Sequence, residues 1–279
     1  MNMKFKFLIS KTINMLGKIK HKFSAKVWNS FLLTYDEYLE LSQAKIKKID
    51  SYNRLPQPIN YRITADPSFL SSNLVLYESI SKKTGNGQIF IYELDNQRTH
   101  KLPLNENFHY SFPNYYKFNE EEYLTFESNE ENGLIIYKIK CNQKNKSIKN
   151  LKLIKIKVEN SPNYRVLDPV IINFEKEYYC FGSSIQKPSE TNCIGKLVFD
   201  KNNKIKLIQS DYFNFKIPLR VGGKFEKYGT EIQCQMQLNE KLYGDGIKTI
   251  FINKKGIKFK HKYLKIRQGK YFGPHTLNF

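Results

Sequence analysis

Apolar residues along this chain fall into short alternating runs. From Asp66 it reads DPSFLSSNLVLYES, from Phe112 FPNYYKFNEEEYLTFES, from Asp168 DPVIINFEKEYYCFGS, and from Arg220 RVGGKFEKYGTEIQCQM. Each segment has a polar or proline-marked start, an apolar strand, a polar turn, and a second apolar or aromatic strand that ends in a small or polar residue. That is the period-two pattern of paired β-strands. Further strands are expected after glycine-marked turns, in GQIFIYELD from Gly87, GLIIYKIK from Gly133 and GKLVFD from Gly195. The stretch CNQKNKSIKNLKLIKIKVEN from Cys141 fits a fourth strand and a Lys/Asn-rich connection.

The starts fall at 66, 112, 168 and 220, and GPHTLNF from Gly273 adds a fifth, giving separations of 46, 56, 52 and 53 residues. A period near 50 residues is the length of one four-stranded propeller blade. The expected fold is therefore an all-β, five-bladed β-propeller over residues 26–279, preceded by a short basic amphipathic helical segment, residues 1–25. Because the last repeat is short, KVWNSFLLTYDEYLEL from Lys26 is expected to complete the ring, with Trp28 as a core anchor. Regular strand spacing also fits a β-sandwich; the matching starts favour the propeller.

Composition narrows the partners. The 279 residues carry a net charge of +20, mainly from lysine. A basic surface suits anionic lipid, nucleic acid or an acidic or nucleotide-linked substrate, and equally a solvated lysine-rich exterior. The aromatics follow the strand alternation into the core, so no nucleic-acid platform of exposed rings is expected. In the N-terminal segment Ile13 and Leu16 share a helical face with Leu8 or Ile9, ringed by lysines, which suits an ordinary packed helix or one lying on an anionic membrane. No run reaches the roughly 20 apolar residues of a membrane span. Cys141, Cys180, Cys193 and Cys234 are far apart with no CxxC pair, so neither zinc nor a disulfide framework is expected. A reducing cytoplasm, at the inner face of a membrane where the basic segment engages it, is the expected location. His21, His100, His109 and His261 show no metal-ligand spacing, and no metal or other cofactor is expected.

The ordered set ITADPSFL, LVLYES, GQIFIYEL, SFPNYYKF, YLTFES, LDPVIINFEKEYYCFGS, LRVGGKFEKYGTEIQCQ, YGDGI and GPHTLNF resembles the five-bladed propeller at the N-terminus of plant glucosamine inositolphosphorylceramide transferases and bacterial relatives. Those in turn resemble the arabinanase and xylosidase propellers of glycoside hydrolases. The likeness runs from Trp28 to Phe279 and implies a setting in cell-surface polysaccharide or glycolipid synthesis. In the plant proteins sugar transfer belongs to a separate domain, so the likeness implies context more than reaction.

In a propeller the first strand of each blade lines the axis, which gathers Asp66, Asp168, Arg220 and His275 into one funnel. The resemblance implies that Asp66 stands where the glycosidase propellers hold their general base, and Asp168 where they hold an orienting aspartate. Their general acid, a glutamate of the fourth blade, has no clear counterpart, since that blade opens with Arg220 and Glu231 is differently offset. Glycosidic chemistry uses a carboxylate and a carboxylic acid flanking the anomeric carbon. An arginine suits a phosphate or carboxylate, gripped through two parallel hydrogen bonds. Glu78 and Glu127 end matching strands and are candidates to hold sugar hydroxyls or to close structural hydrogen bonds. Gln233 and Gln235 alternate on one strand face as sugar-binding amides would. Gly222 and Gly223 are read as a tight turn, and Asp245 as a turn residue. The leading function is a glycosyltransferase acting on a nucleotide- or phosphate-linked sugar and a glycan acceptor, with Asp66, Asp168 and His275 catalytic and Arg220, Glu78, Glu127, Glu231 and Gln233 binding substrate. A glycoside hydrolase and a non-catalytic glycan-binding propeller are the alternatives.

Overall fold

A computed structural model describes residues 31–32, 53–140, 148, 151–200, 204–238, 246–253, 255–264, 267–268 and 271–272. Four sheets follow one another, each built on four consecutive antiparallel strands in the order expected of a propeller blade; the third is widened to six strands by Val158–Glu159, parallel to its fourth strand, and by Lys216–Ile217. Blade one is β1 (Tyr61–Ser71), β2 (Leu74–Ser81), β3 (Gly87–Glu93) and β4 (Arg98–Lys101). Blade two is β5 (Tyr110–Phe118), β6 (Glu121–Ser128), β7 (Ile135–Lys140) and β8 (Lys152–Ile156). Blade three is β9 (Val166–Phe174), β10 (Glu177–Ser184), β11 (Lys187–Phe199) and β12 (Ile205–Ile208). Blade four is β13 (Arg220–Tyr228), β14 (Glu231–Leu238), β15 (Gly246–Asn253) and β16 (Gly256–Leu264). The first strands of consecutive blades lie against one another, β1 on β5, β5 on β9, and β9 on β13. This is the all-β, propeller-like arrangement that the repeat predicts.

Four blades, not five, are present among the described residues. The fifth start at Gly273, the basic segment 1–25 and Trp28 lie outside them. Of the stretch expected to complete the ring, Phe31–Leu32 pairs with Asn53–Arg54.

Alternation along the second strands explains the packing. In β10, Tyr179 and Phe181 join Val221, Phe225 and Phe213 between blades three and four, while Cys180 between them faces Tyr123, Ile136 and Leu197 between blades two and three. In β6, Leu124 and Phe126 face blade one while Tyr123 faces blade three. Both faces of these strands are buried, so they read as almost continuous apolar runs. Each fully buried Leu, Ile or Phe adds about 1.5–3 kcal/mol.

The expected blade starts turn out to be β-bulges inside longer first strands. Register jumps at Ala65/Ser68, Ser111/Asn114, Leu167/Val170 and Val221/Phe225. The extra residues are Asp66-Pro67, Phe112-Pro113, Asp168-Pro169 and Gly222-Gly223-Lys224. Proline, which lacks an N–H, fits where the ladder is interrupted. Asp66, Phe112 and Asp168 share one left-handed conformation, with φ of 49°, 51° and 48°. Three equal excursions of this kind, each before a proline, show a backbone device repeated by the fold.

Blade four departs from the expected alignment by two residues. Its bulge begins at Gly222, so the counterpart of Asp168 is Gly222 and not Arg220. Nor do the two glycines form the hairpin turn, which lies between Tyr228 and Glu231. A Cβ on Gly222 would meet Ile247 Cδ1 at 2.7 Å and the Gln237 backbone nitrogen at 2.8 Å, so close approach to β14 demands glycine there.

Candidate functional site

The bulges and their partner strands bring four carboxyl groups together. Glu78 stands opposite Ala65 and Glu127 opposite Ser111, each directly before its blade's bulge. Asp66 and Asp168 are the bulge residues of blades one and three. All four side chains are buried. The equivalent bulge residue in blade two, Phe112, packs into the apolar core, and the residues at the glutamate position in blades three and four are Ser183 and Met236.

Arg220 reaches this cluster from two residues ahead of its own bulge. Its Nε donates to Asp168 Oδ2 and its NH2 to Asp168 Oδ1 at 3.0 Å, a two-pronged pair, and NH2 also lies 3.7 Å from Glu127 Oε2. Thr191 Oγ1 donates to the carbonyl of Leu219 at 2.7 Å, and Lys216–Ile217 pairs with β11, which together fix the approach to Arg220. Asn114 Nδ2 donates to the Pro169 carbonyl at 3.4 Å and ties blade two to the bulge of blade three. With its guanidinium on Asp168, Arg220 is the counter-ion of the cluster. Arg220, expected to grip a substrate anion, is held in this structure by the Asp168 carboxylate.

Electrostatics divide the carboxyls. Burial pushes Glu127 up to about 8, with Asp168 adding to the rise, while Arg220, the Asp168 amide and Arg165 oppose it. Glu78 is raised well above the usual carboxylate range, first by burial and then by the charges of Asp66 and Glu127, and it is hydrogen-bonded to Asp66. Burial thus favours the protonated form of both glutamates, side by side with Asp66 and the Arg220-bound Asp168. Such a set can donate a proton from one carboxyl while a neighbour accepts one.

Two residues that sequence reasoning missed border the cluster. His109, directly before β5, lies with Nε2 3.6 Å from Glu78 Oε1. Arg165, directly before β9, acts on Glu127 through its charge and donates from NH1 to Asn129 Oδ1 at 2.7 Å. The signal was available in the repeat, because both residues occupy the position just ahead of a first strand.

Other candidates lie elsewhere. Glu231, at the far end of β14, pairs with Lys258 at 2.6 Å and accepts from Asn253 at 3.1 Å, well along the strand from the bulge. Gln233 pairs in register with Glu226 and Phe251, on the same outer half of the strand. Gln235 accepts a hydrogen bond from Thr249 at 2.9 Å within blade four. His275 and Asp245 lie outside the described residues. Among the described residues no set of His, Cys, Asp and Glu is arranged to hold a metal ion, and no helix is long and apolar enough to cross a membrane.

Comparisons with known proteins bear on the family. An alpha-L-arabinofuranosidase from Clostridium thermocellum ATCC 27405 aligns at 12% identity over 71% of this chain and 72% of its own, with a TM-score of 0.45. An endo-arabinanase from Bacillus licheniformis aligns at 14% identity over 74% of each chain, with a TM-score of 0.38. No curated protein matches. The family model described as glucosamine inositolphosphorylceramide transferase 1, N-terminal, matches residues 57–260. That span holds the four blades up to the middle of the last strand of blade four and the whole carboxyl cluster, and by this match the chain belongs to that family.

Proposed function

We propose that this protein is carbohydrate-active and transfers a glycosyl group from a nucleotide- or phosphate-linked donor during glycolipid or cell-surface polysaccharide synthesis, with the sugar ring seated at the carboxyl cluster. Membership of a family named for a glycolipid transferase supports the setting. The observation that carries the site is the buried set of Asp66, Glu78, Glu127 and Asp168, with the Arg220 guanidinium on Asp168.

In this reading an acceptor hydroxyl gives its proton to the Asp66 carboxylate as its oxygen bonds to the anomeric carbon. The bond from that carbon to the donor phosphate oxygen breaks, and the phosphate leaves with the electron pair. Asp168 and Arg220 hold Glu127 and the axial backbone in place. Protonated Glu78 and Glu127 donate to sugar oxygens, which a carboxylate cannot do.

Glu127 also favours a second reading, glycoside hydrolysis, because a carboxyl group protonated at neutral pH can give its proton to a departing sugar oxygen while Asp66 takes one from water. One experiment separates the two. Purified protein is incubated with a panel of sugar nucleotides and lipid-linked phosphosugars plus a glycan acceptor, and separately with oligosaccharides alone. Donor-dependent elongation supports transfer, and release of reducing sugar without a donor supports hydrolysis. Saturable binding with no turnover in either arm would reject both and leave a glycan-binding propeller. Asp66→Asn should lower turnover by about 10²–10⁴-fold.

A further inference from the structure

With Arg220 engaged by Asp168, the negative charge of a phosphate-linked donor needs another cation. Arg165, half-buried and directly before β9, borders the same cluster. Its charge acts on both Glu127 and His109, which places it beside the carboxyl groups at the junction of blades two and three. The guanidinium uses one side and leaves the other. NH1 donates to Asn129 Oδ1, a neutral amide oxygen, at 2.7 Å. Nε is covered yet has no hydrogen-bond partner, and among the described residues no carboxylate pairs with NH2. Nε and NH2 together form the side of a guanidinium that fits two oxygens at once, the side by which Arg220 holds Asp168. A covered N–H without an acceptor costs about 1–3 kcal/mol, so its presence here asks for an explanation.

The acids nearest in sequence to Asn129 are engaged elsewhere. Glu130 Oε2 accepts from the His109 backbone N–H at 2.8 Å and from the Ser128 hydroxyl at 3.1 Å. Glu131 pairs with Lys155 of β8. The hairpin after β6 therefore offers Arg165 an amide and keeps its two carboxylates for other partners. The main chain beneath the guanidinium is pinned from both neighbouring hairpins. The Arg165 carbonyl accepts from the Ile185 N–H at 3.2 Å, and the Gly133 N–H donates to the Tyr164 carbonyl at 2.8 Å, where Gly133 bridges to Arg165 in parallel register. Only the outer torsions of the side chain need turn to bring Nε out from cover, so little order has to be created when an anion arrives.

We infer that Arg165 holds the phosphate of the substrate, gripping two of its oxygens through Nε and NH2 while the sugar ring sits at the carboxyl cluster. The place of this contact in the reaction rests on the proposed transfer. Binding of an oxyanion at Arg165 does not.

The test is a calorimetric titration of the full chain with inorganic pyrophosphate in about 150 mM salt, where charge on the open surface is screened. Three variants accompany the native protein: Arg165→Gln, Asn129→Asp, and Lys152→Gln at an exposed position of β8 as a control for the basic surface. Arg165→Gln removes the charge and keeps an amide donor for Asn129. Asn129→Asp keeps the arginine and gives it an acid of its own, in the shape of the amide it replaces. Saturable binding to the native protein should weaken about 10- to 100-fold in both and stay unchanged in Lys152→Gln. No saturable binding to the native chain, equal binding by Arg165→Gln, or an equal loss in Lys152→Gln would overturn the inference. Should Arg165→Gln fail to fold, Asn129→Asp decides, since unchanged binding there would overturn it alone. Where the transferase assay gives turnover, Arg165→Gln should raise the donor KM about 10- to 100-fold and leave the acceptor KM nearly unchanged. Arg165-dependent binding of pyrophosphate without donor-dependent turnover would end the transfer reading and leave the anion site standing.

Discussion

Blades one and two place a glutamate at the same register position, yet the two side chains live in different company. Glu78 has Asp66 as its hydrogen-bonded neighbour and a neutral imidazole beside it. Glu127 has Asp168, the Asp168 amide and the Arg220 guanidinium. Burial raises both, but only Glu127 has cations, Arg220 and Arg165, pulling it back. Register decides where a carboxyl stands, and the residues arriving from neighbouring blades decide which proton it keeps. The fold thus builds two acid pairs from one repeated unit, one held by a shared proton and one by a salt bridge.

Breaking the second pair should have the largest effect. Arg220→Met strands buried Asp168 without its bidentate counter-ion and should cost about 3–5 kcal/mol in urea unfolding. The first pair is best attacked sterically. Gly87→Ala forces apart Glu78, His109 and the Tyr110 carbonyl and should cost about 1–3 kcal/mol by the same measurement.

The pH dependence sharpens the contrast. Glu127 titrates near 8 in the folded chain, against an ordinary value of 4.5. Between these values the folded state binds the extra proton, so stability is greatest at the acid end and declines as pH rises toward 8. The slope is up to about 1.4 kcal/mol per pH unit for each such group. Glu127→Gln should flatten part of that decline in melting curves, leaving the remainder to Glu78. The smallest effect belongs outside the cluster, where Glu231→Ala should change stability by about 1 kcal/mol or less because it removes a peripheral pair with exposed Lys258 and a hydrogen bond from Asn253.

Much of this was legible in the chain. The proline-marked segments located three bulges to the residue, since Asp-Pro and Phe-Pro mark the points where a first strand leaves its ladder. Glu78 and Glu127 could be matched because their strands end alike. Blade four was misaligned because glycines replace the Asp-Pro signal, and Arg220 offers a charge where the eye seeks a bulge residue. Its pairing was not legible for another reason: the carboxylate it holds lies 52 positions away. His109 went unnoticed because the position just ahead of a first strand, which it shares with Arg165, shows its meaning only when the neighbouring blade's glutamate is set beside it.

Within each second strand, neighbouring letters answer to different partners. Tyr179 and Phe181 speak to blade four, and Cys180 between them speaks to blade two. A relative could therefore rework one junction by changing every other residue while leaving the opposite junction intact. The wheel can diverge seam by seam, and the acid-bearing axis need not move with it.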